Sequence, residues 1–582
     1  MKYRIISCLL CIALMFSMCA CAKESVGCFI YYPVYDKMVS LDPQIASTDT
    51  EKLIVANCFE GLVRMDEKGE ITPAAAKTWN ISPDGLTYTF YLRTDAKWQL
   101  TDYTRKSMED LLPADFAPAV TADDFVFALQ RAIDPATQAS DAYLLYSINN
   151  AQRIHKGEAD ISTLGVRAVS DYQLEITLQE PQSNFLQVLT ECICMPCNRT
   201  FFEACGGRYG LMVKSFMSNG PFYLYMFSDT DYTLNASDTY NGPHKPTPAK
   251  VYLYYNEAGN NVPEKMSDEI YSAAYLTDRM LAATKTKNSS TVTELENTMI
   301  GLVFNLNHEQ LQNANVRKAI AYATDTVALA QMADKPYTDS LLPSVCGYAP
   351  ACVDAYDEEN AVELLLKGFE ELSQPKIIEV PVQMPNEAGT TESELTDETQ
   401  ILTDNSELIV PTEIQIVEVE KVESVSLTIL TSEEYADLIK RQMQKWQRIL
   451  GLRCIIRIET VSDHQLRTRV EKGEYELAFC PLSVNSPDAL RFLQSFSANN
   501  PNNCIFLSDE TYENLLNKAK AETDQTAQRE YIREAADYLQ TNACILPVFS
   551  ESSYLVQTTG VSGVYCCSGP ERVYFSNAYS EN

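Results

Sequence analysis

Residues 79–93 read WNISPDGLTYTFYLR. Ser82-Pro83-Asp84-Gly85 is turn chemistry, and strict alternation follows it. Leu86, Tyr88, Phe90 and Leu92 fall on one side of an extended chain; Thr87, Thr89, Tyr91 and Arg93 fall on the other. Period two means a strand with a single buried face, which needs a layer to cover it. Helices supply the layers. In TADDFVFALQRAID (121–134), Thr121 can cap and Asp124 completes a capping-box-like pair, with Phe125, Leu129 and Ala132 on one face. DYQLEITLQEP (171–181) returns to alternation, and 219–255 is strand-like, Tyr-rich text broken by Gly-Pro. In 313–324, Val316, Ala319, Ile320 and Ala323 recur at helical spacing. A further helix is predicted from Ser432, with Tyr435, Leu438, Ile439 and Trp446 on one face. Gly451 stands at its C-terminal cap, and the strand LRCIIRIET follows. Helix running into strand, more than once, gives an α/β fold class.

A chain of 582 residues exceeds what one core can organise, roughly 250–300 residues, so more than one domain is expected. The net charge of −33 argues against nucleic acid or an anionic membrane surface as partner.

Eighteen cysteines are many for an exported chain. The densest run is CICMPCNRTFFEAC, with Cys192, Cys194, Cys197 and Cys205. It holds one C-x-x-C, no second, and no nearby histidine, so it does not match a zinc site. The histidines, His155, His244, His308 and His464, are not paired at ligand spacing. The run therefore reads as small buried thiols, and no metal or cofactor is expected. A disulfide from Cys346 to Cys352, or one involving Cys205, stays open.

The N-terminus carries Lys2 and Arg4, then an apolar run from Ile5 to Met18, shorter than the roughly 20 residues that span a bilayer as a helix. Small residues and then polar ones follow, which is the layout of a secretory signal. Met18-Cys19-Ala20-Cys21 resembles a bacterial lipobox. Cys21 is the expected lipidated residue, because Ala20 is the small residue before the cut, and residues 1–20 are the lipoprotein signal peptide. The body is then expected outside the cytoplasm, lipid-anchored to the bacterial cell membrane.

Residues 373–424 are rich in acids, Thr and Pro, without sustained helical periodicity. They read as an acidic, disordered insertion, either a solvated excursion or a docking tail.

In order along the chain, these pieces resemble the solute-binding lipoproteins of peptide-class ABC importers. SLDPQIASTDTEKLIVANCFEGLVRMDEKGEITPAAAKTWNISPDGLTYTFYLRTDAKW (40–98) is similar to that family's opening. VTADDFVFALQRAIDPAT (120–137), SNGPFYL (219–225) and LVFNLNHEQLQNANVRKAIAYATD (302–325) match later motifs. The resemblance implies a two-lobed, type II periplasmic-binding-protein-like fold with an extra small domain, its mixed sheets joined by a hinge. Lobe I is expected at 28–71, 189–295 and 505–582, the extra domain at 72–188, and lobe II at 296–504. A peptide or peptide-like solute would lie extended between the lobes, held through its backbone. The protein would deliver it, as a monomer and without catalysis, to permease and ATPase subunits. A sensor or adhesin reusing the fold, and a Cys- or metal-dependent enzyme, are the rival readings.

Ligand candidates follow by position: Ser47 and Thr48 after Leu-Asp-Pro, Tyr143 after the DPAT helix end, and Tyr275. The family often carries W-x-x-D-Y-x-D-P, whose first Asp meets the peptide's ammonium. Here the text is CPLSVNSPDALRFL (480–493), which places Cys480 at the Trp and Ser483 at the Asp. Burying an ammonium without a partner costs several kcal/mol, on the order of a lost buried ion pair. A free N-terminus is therefore expected to bind poorly at Ser483. The ligand would be a modified peptide, another small solute, or a peptide held by a different acid.

Overall fold

The computed structural model describes residues 27–581 apart from 115, 117, 260, 286, 288, 349–355, 382–411, 418–420, 485–487 and 568. Cys21, the signal segment, Cys352 and most of the acidic insertion lie outside the described residues.

The opening hairpin forms as its alternation requires. Gly85 takes φ +71°, which favours glycine, and closes the turn by donating its N–H to the Ser82 carbonyl at 2.8 Å. Tyr88, Phe90 and Leu92 are buried while their alternate residues are half-buried. Strand Thr87–Leu92 lies in a four-stranded antiparallel sheet with Ala76–Ile81, Gln173–Thr177 and Val166–Ser170. Helix Ala122–Ile133 covers it and buries Phe125, Leu129 and Ala132. The Asp124 carboxylate accepts from the Thr121 N–H at 2.9 Å, from Trp98 Nε1 at 3.1 Å and from Asn198 Nδ2 at 3.0 Å; burial raises it to about 6.

A second four-stranded sheet runs Phe29–Val34, Lys250–Tyr255, Asp231–Ala236, Phe222–Phe227. It shares one continuous core with the first. Phe59 sets its ring edge-on against both Trp98 and Phe216, with centroids 6.3 and 5.5 Å apart. The stretch expected as an extra domain therefore packs onto the first lobe as part of its core.

The second lobe is built on a six-stranded mixed sheet, ordered Ala273–Thr277, Ile545–Gln557, Thr291–Phe304, Leu477–Ser483, Val425–Ser432, Cys454–Val461. Two corrections arise here. The helix expected from Ser432 begins at Ala436, because Ser432 is still in the sheet, opposite Val461. It ends as predicted at Gly451, φ +66°. The boundary expected at 504 falls inside a core. Ile505, Tyr512, Leu516, Ile532 and Leu539 pack with Val303, Leu430 and Leu466, so helices Glu510–Ala521 and Gln525–Thr541 belong to the second lobe. The chain returns to the first lobe along Ile545–Gln557, and Val561, Val573 and Phe575 sit in its core.

The long strands Thr291–Phe304 and Ile545–Gln557 are neighbours and pass through both lobes. Thr291 to Leu295 pair with Gln557 to Ser553, and pairing resumes at Thr298–Glu551 after a register break. A break of register where two paired strands change lobes is a place at which a sheet can bend.

The insertion leaves and rejoins the second lobe at one point. The Val422 N–H donates to Ser373 Oγ at 2.8 Å, and strands Lys376–Pro381 and Thr412–Val417 pair antiparallel beyond it. The expectation of irregular chain through 373–424 is thus corrected at its base, which is a two-stranded ribbon. Replacing 374–421 with a short Gly-Ser linker between these adjoining ends should change Tm by no more than a few degrees, since closing a short loop costs little. Cooperative loss of the second lobe in a melt would show that the insertion supports the fold.

Candidate functional site

The start of helix Asp49–Cys58 is held tightly. Thr48 Oγ1 accepts the Glu51 N–H at 3.2 Å. The buried Glu51 carboxylate accepts the N–H groups of Val39 (2.7 Å), Ser40 (2.8 Å), Ser47 (2.9 Å) and Thr48 (3.2 Å). Ser47 and Thr48 therefore shape the first turn of a helix whose next residue, Asp49, looks across at the second lobe. Burial raises the Asp49 pKa. Its neighbouring charges include Arg467 and Glu471, both on helix Asp463–Glu471 of the second lobe, as well as Asp36 and Lys52.

One turn on, Lys52 Nζ binds Asp141 Oδ2 at 2.9 Å. Asp141 precedes the short turn Ala142–Leu145 that carries Tyr143. Tyr143 lies beside Arg491 and Asn500 of the second lobe, and burial pushes its phenol up. Glu191 accepts from both Arg491 Nη1 and Arg572 Nη2, and Arg572 Nη1 reaches Thr190 Oγ1 at 3.1 Å. Two guanidinium groups hold this buried carboxylate below its ordinary pKa against the pull of burial. Arg491 belongs to the second lobe and Arg572 to the first, so Glu191 ties the lobes together. Asn184 Nδ2 to Asp488 Oδ2 at 2.5 Å and Lys520 Nζ to Glu180 Oε1 at 2.5 Å are further bridges.

Tyr275 is 8% exposed. Its hydroxyl accepts from Asn297 Nδ2 at 2.8 Å, and its carbonyl accepts from the Tyr35 hydroxyl at 2.8 Å. Asn297 stands in the register break. Thr298 Oγ1 lies 3.3 Å from Asn297 Oδ1 and 3.0 Å from Ser483 Oγ, so a polar chain links Ser483 to Tyr275 through the hinge. Ser483 is exposed at the end of Leu477–Ser483.

Ser47 and Thr48 thus belong to the first turn of helix Asp49–Cys58, Tyr143 lies beside the second lobe, and Tyr275 and Ser483 are joined by the polar chain at the register break. Cys480 is a correction. It is 2% exposed, opposite Gly301, and packs in the second lobe's core, because inward-facing positions alternate along its strand. The sequence did not single out Asp49, Lys52, Glu191, Arg491, Glu571 or Arg572; charged residues are common, and nothing local marks the ones that will meet.

The thirteen described cysteines are all free thiols, Cys205 and Cys346 among them. Cys194, Cys197 and Cys205 are buried in the first lobe's core, and burial pushes the thiols of Cys192, Cys197 and Cys205 up to about 12. Thiolates are therefore scarce there at neutral pH. Among the described residues no three His, Cys, Asp or Glu side chains converge as a metal site, and no helix is long and apolar enough to cross a membrane.

Over residues 70–504 the chain matches the family described as bacterial extracellular solute-binding proteins, family 5 middle. It is 25% identical over 553 residues to the dipeptide-binding protein DppE of Bacillus subtilis, covering 93% of this chain and 90% of that protein. It is 36% identical over 187 residues to the probable deoxycholate-binding periplasmic protein YgiS of Escherichia coli, covering 32% of each. Its fold is similar to that of Burkholderia pseudomallei OppA, with TM-score 0.72 at 20% identity, over 96% of this chain and 100% of that one. It is likewise similar to Listeria monocytogenes OppA bound to peptide, with TM-score 0.68 at 20% identity and the same coverage. With two lobes joined by paired strands and a polar junction between them, the chain belongs to family 5 of the bacterial extracellular solute-binding proteins.

Proposed function

We propose that this protein captures a peptide or peptide-like solute between its two lobes and delivers it to the permease and ATPase subunits of an ABC importer, without chemistry of its own. The carrying observation is the pair of strands that cross between lobes with a register break at the crossing. The lobes can close on a ligand by bending there, and Glu191–Arg491 bridges them once closed. The names of the relatives support a peptide: DppE is a dipeptide-binding protein, and one similar structure is an OppA with peptide bound. Ser47, Thr48, Tyr143 and Tyr275 line the ligand's surroundings in this reading, with Ser483 at the hinge side. Cys21 carries the lipid, and the protein works as a membrane-tethered monomer.

Native mass spectrometry of the protein purified from its host should show a co-purifying peptide. A bile-acid-like or other non-peptide mass would overturn the peptide assignment and keep the binding role. Cys21→Ser should leave the membrane fraction for the soluble one; a variant that stays membrane-bound and palmitate-labelled would place the lipid elsewhere.

A further inference from the structure

The second lobe holds a cavity of its own, away from the junction. Its volume is about 60 Å³, several times the roughly 10–15 Å³ that one water needs. Its walls are helix Ala314–Tyr322, the C-terminal end of helix Gln525–Thr541, the segment through Tyr337 and Asp339, and Leu546 and Pro547 at the start of the long strand. That segment is laid along the strand. The Ser550 N–H donates to the Pro336 carbonyl at 2.9 Å, and the Thr338 N–H to the Val548 carbonyl at 3.3 Å. Gln540 Nε2 donates to the Asp339 carbonyl at 2.5 Å and ties the segment to the helix. The strand changes lobes only near Glu551, roughly 17 Å beyond Leu546 at about 3.4 Å per residue. None of the residues that bridge the lobes lines the cavity.

Two charges of opposite sign stand in these walls, Lys318 and Asp339, both half-buried. The charges around them are paired. Asp325 takes Lys445 at 3.2 Å, and Lys335 takes Asp278 at 2.8 Å and Glu551 at 2.9 Å. Among the described residues, Lys318 and Asp339 form no ion pair within 4 Å, either with each other or with a third group. An ammonium and a carboxylate thus border one small space without closing on each other. A guest that carries both signs answers them together. Its carboxylate accepts from the Lys318 ammonium and its own ammonium donates to the Asp339 carboxylate, and both are charge-assisted bonds. Such bonds strengthen where walls partly exclude water. Tyr322 and Thr326 add hydroxyls, while Ala321 and Leu546 suit a short alkyl group. The cavity admits only a few heavy atoms. A small α-amino acid meets these limits, with an ammonium and a carboxylate on one carbon.

We propose that this cavity is a second binding site, within the second lobe, for a small free α-amino acid such as glycine or alanine. Lys318 holds the carboxylate and Asp339 the ammonium. The site is separate from the space between the lobes, so both can be filled at once. It does not depend on what the lobes enclose.

The test uses the full-length mature protein, with any co-purifying solute left in place, and calorimetry as readout. Glycine and L-alanine should bind saturably. Glycine amide keeps only the ammonium and N-acetylglycine only the carboxylate, so each should bind at least about tenfold more weakly than glycine. Lys318→Met and Asp339→Asn should each weaken glycine binding by at least about tenfold, and Lys318→Arg should retain more of it than Lys318→Met. The solute that co-purifies, read by native mass spectrometry, should be the same in every variant. If one variant does not fold, the other decides. No saturable binding of glycine or alanine up to about 10 mM would mean that the cavity holds water only, and would overturn the proposal. Glycine binding that survives in the folded variants would place the amino acid elsewhere and overturn it too. Equal binding of glycine amide or N-acetylglycine would overturn the assignment of both charges. Loss of the co-purifying solute in the variants would make the cavity part of the interlobe site and overturn its separateness. A protein that purifies with no solute would count against the peptide reading alone, because the glycine titration does not rest on it.

Discussion

Glu191→Gln should lower the stability of the protein by about 3–5 kcal/mol, the scale for removing one partner of a buried ion pair. The carboxylate serves two guanidinium groups at once, from Arg491 and Arg572, and the side chains of Glu191 and Arg572 are 11% and 5% exposed. Glutamine keeps the shape and one acceptor oxygen but leaves both cations without a counter-charge. The same substitution should weaken closure, because Arg491 comes from the second lobe and Glu191 from the side of the first. Arg491→Met separates the two effects. It removes the bridge and leaves Glu191 with Arg572, so stability should fall much less while small-angle scattering reports a larger radius of gyration. A Glu191→Gln protein with unchanged urea midpoint, or an Arg491→Met protein as compact as the parent, would show that the triad does not hold the lobes.

Asp42→Asn should cost a similar amount, about 3–5 kcal/mol. Asp42 is the acid of the Leu-Asp-Pro sequence near the start of the chain. Its two oxygens meet Arg131 of helix Ala122–Ile133, at 3.2 Å from Nη1 and 2.5 Å from Nη2. Arg131 also donates to Gln44 Oε1 at 2.6 Å and lies 3.9 Å over the Phe202 ring. Both side chains are almost wholly buried, so the neutral amide would leave a guanidinium with its charge unanswered. Pairing Asp42→Asn with Arg131→Met removes that charge as well and should restore part of the loss. A double variant no more stable than the Asp42→Asn single variant would mean that the charge pair is not the source of the cost.

The Asp42–Arg131 pair shows where reading the chain succeeded and where it stopped. Leu-Asp-Pro and the 121–134 helix were both recognisable, the first as part of a family opening and the second from its caps and spacing. That the two lock onto each other was not, since 89 residues separate the partners. The candidate site repeats the pattern. Tyr143 and Tyr275 were singled out by their place in recognisable phrases; Tyr143 lies beside Arg491 of the second lobe, and Tyr275 bonds Asn297 at the register break. Cys480 was found the same way and faces a core instead. Aligning it fixed its place along the strand but not which side of the sheet was covered.

The sequence by itself determined the elements and the family. Hairpin, helix caps and buried faces are written within ten to twenty residues, because backbone hydrogen bonds and side-chain periodicity act over that range. The identity of the fold followed from such phrases in a fixed order. Tertiary structure alone decided that residues 505–544 complete the second lobe, that two strands carry the chain between lobes through a break in register, and that Glu191 meets an arginine 381 positions away. The reason is physical. A charge carries no local mark of its partner, and the field it feels is set by whichever distant segments the folded core brings beside it and by how completely they exclude water.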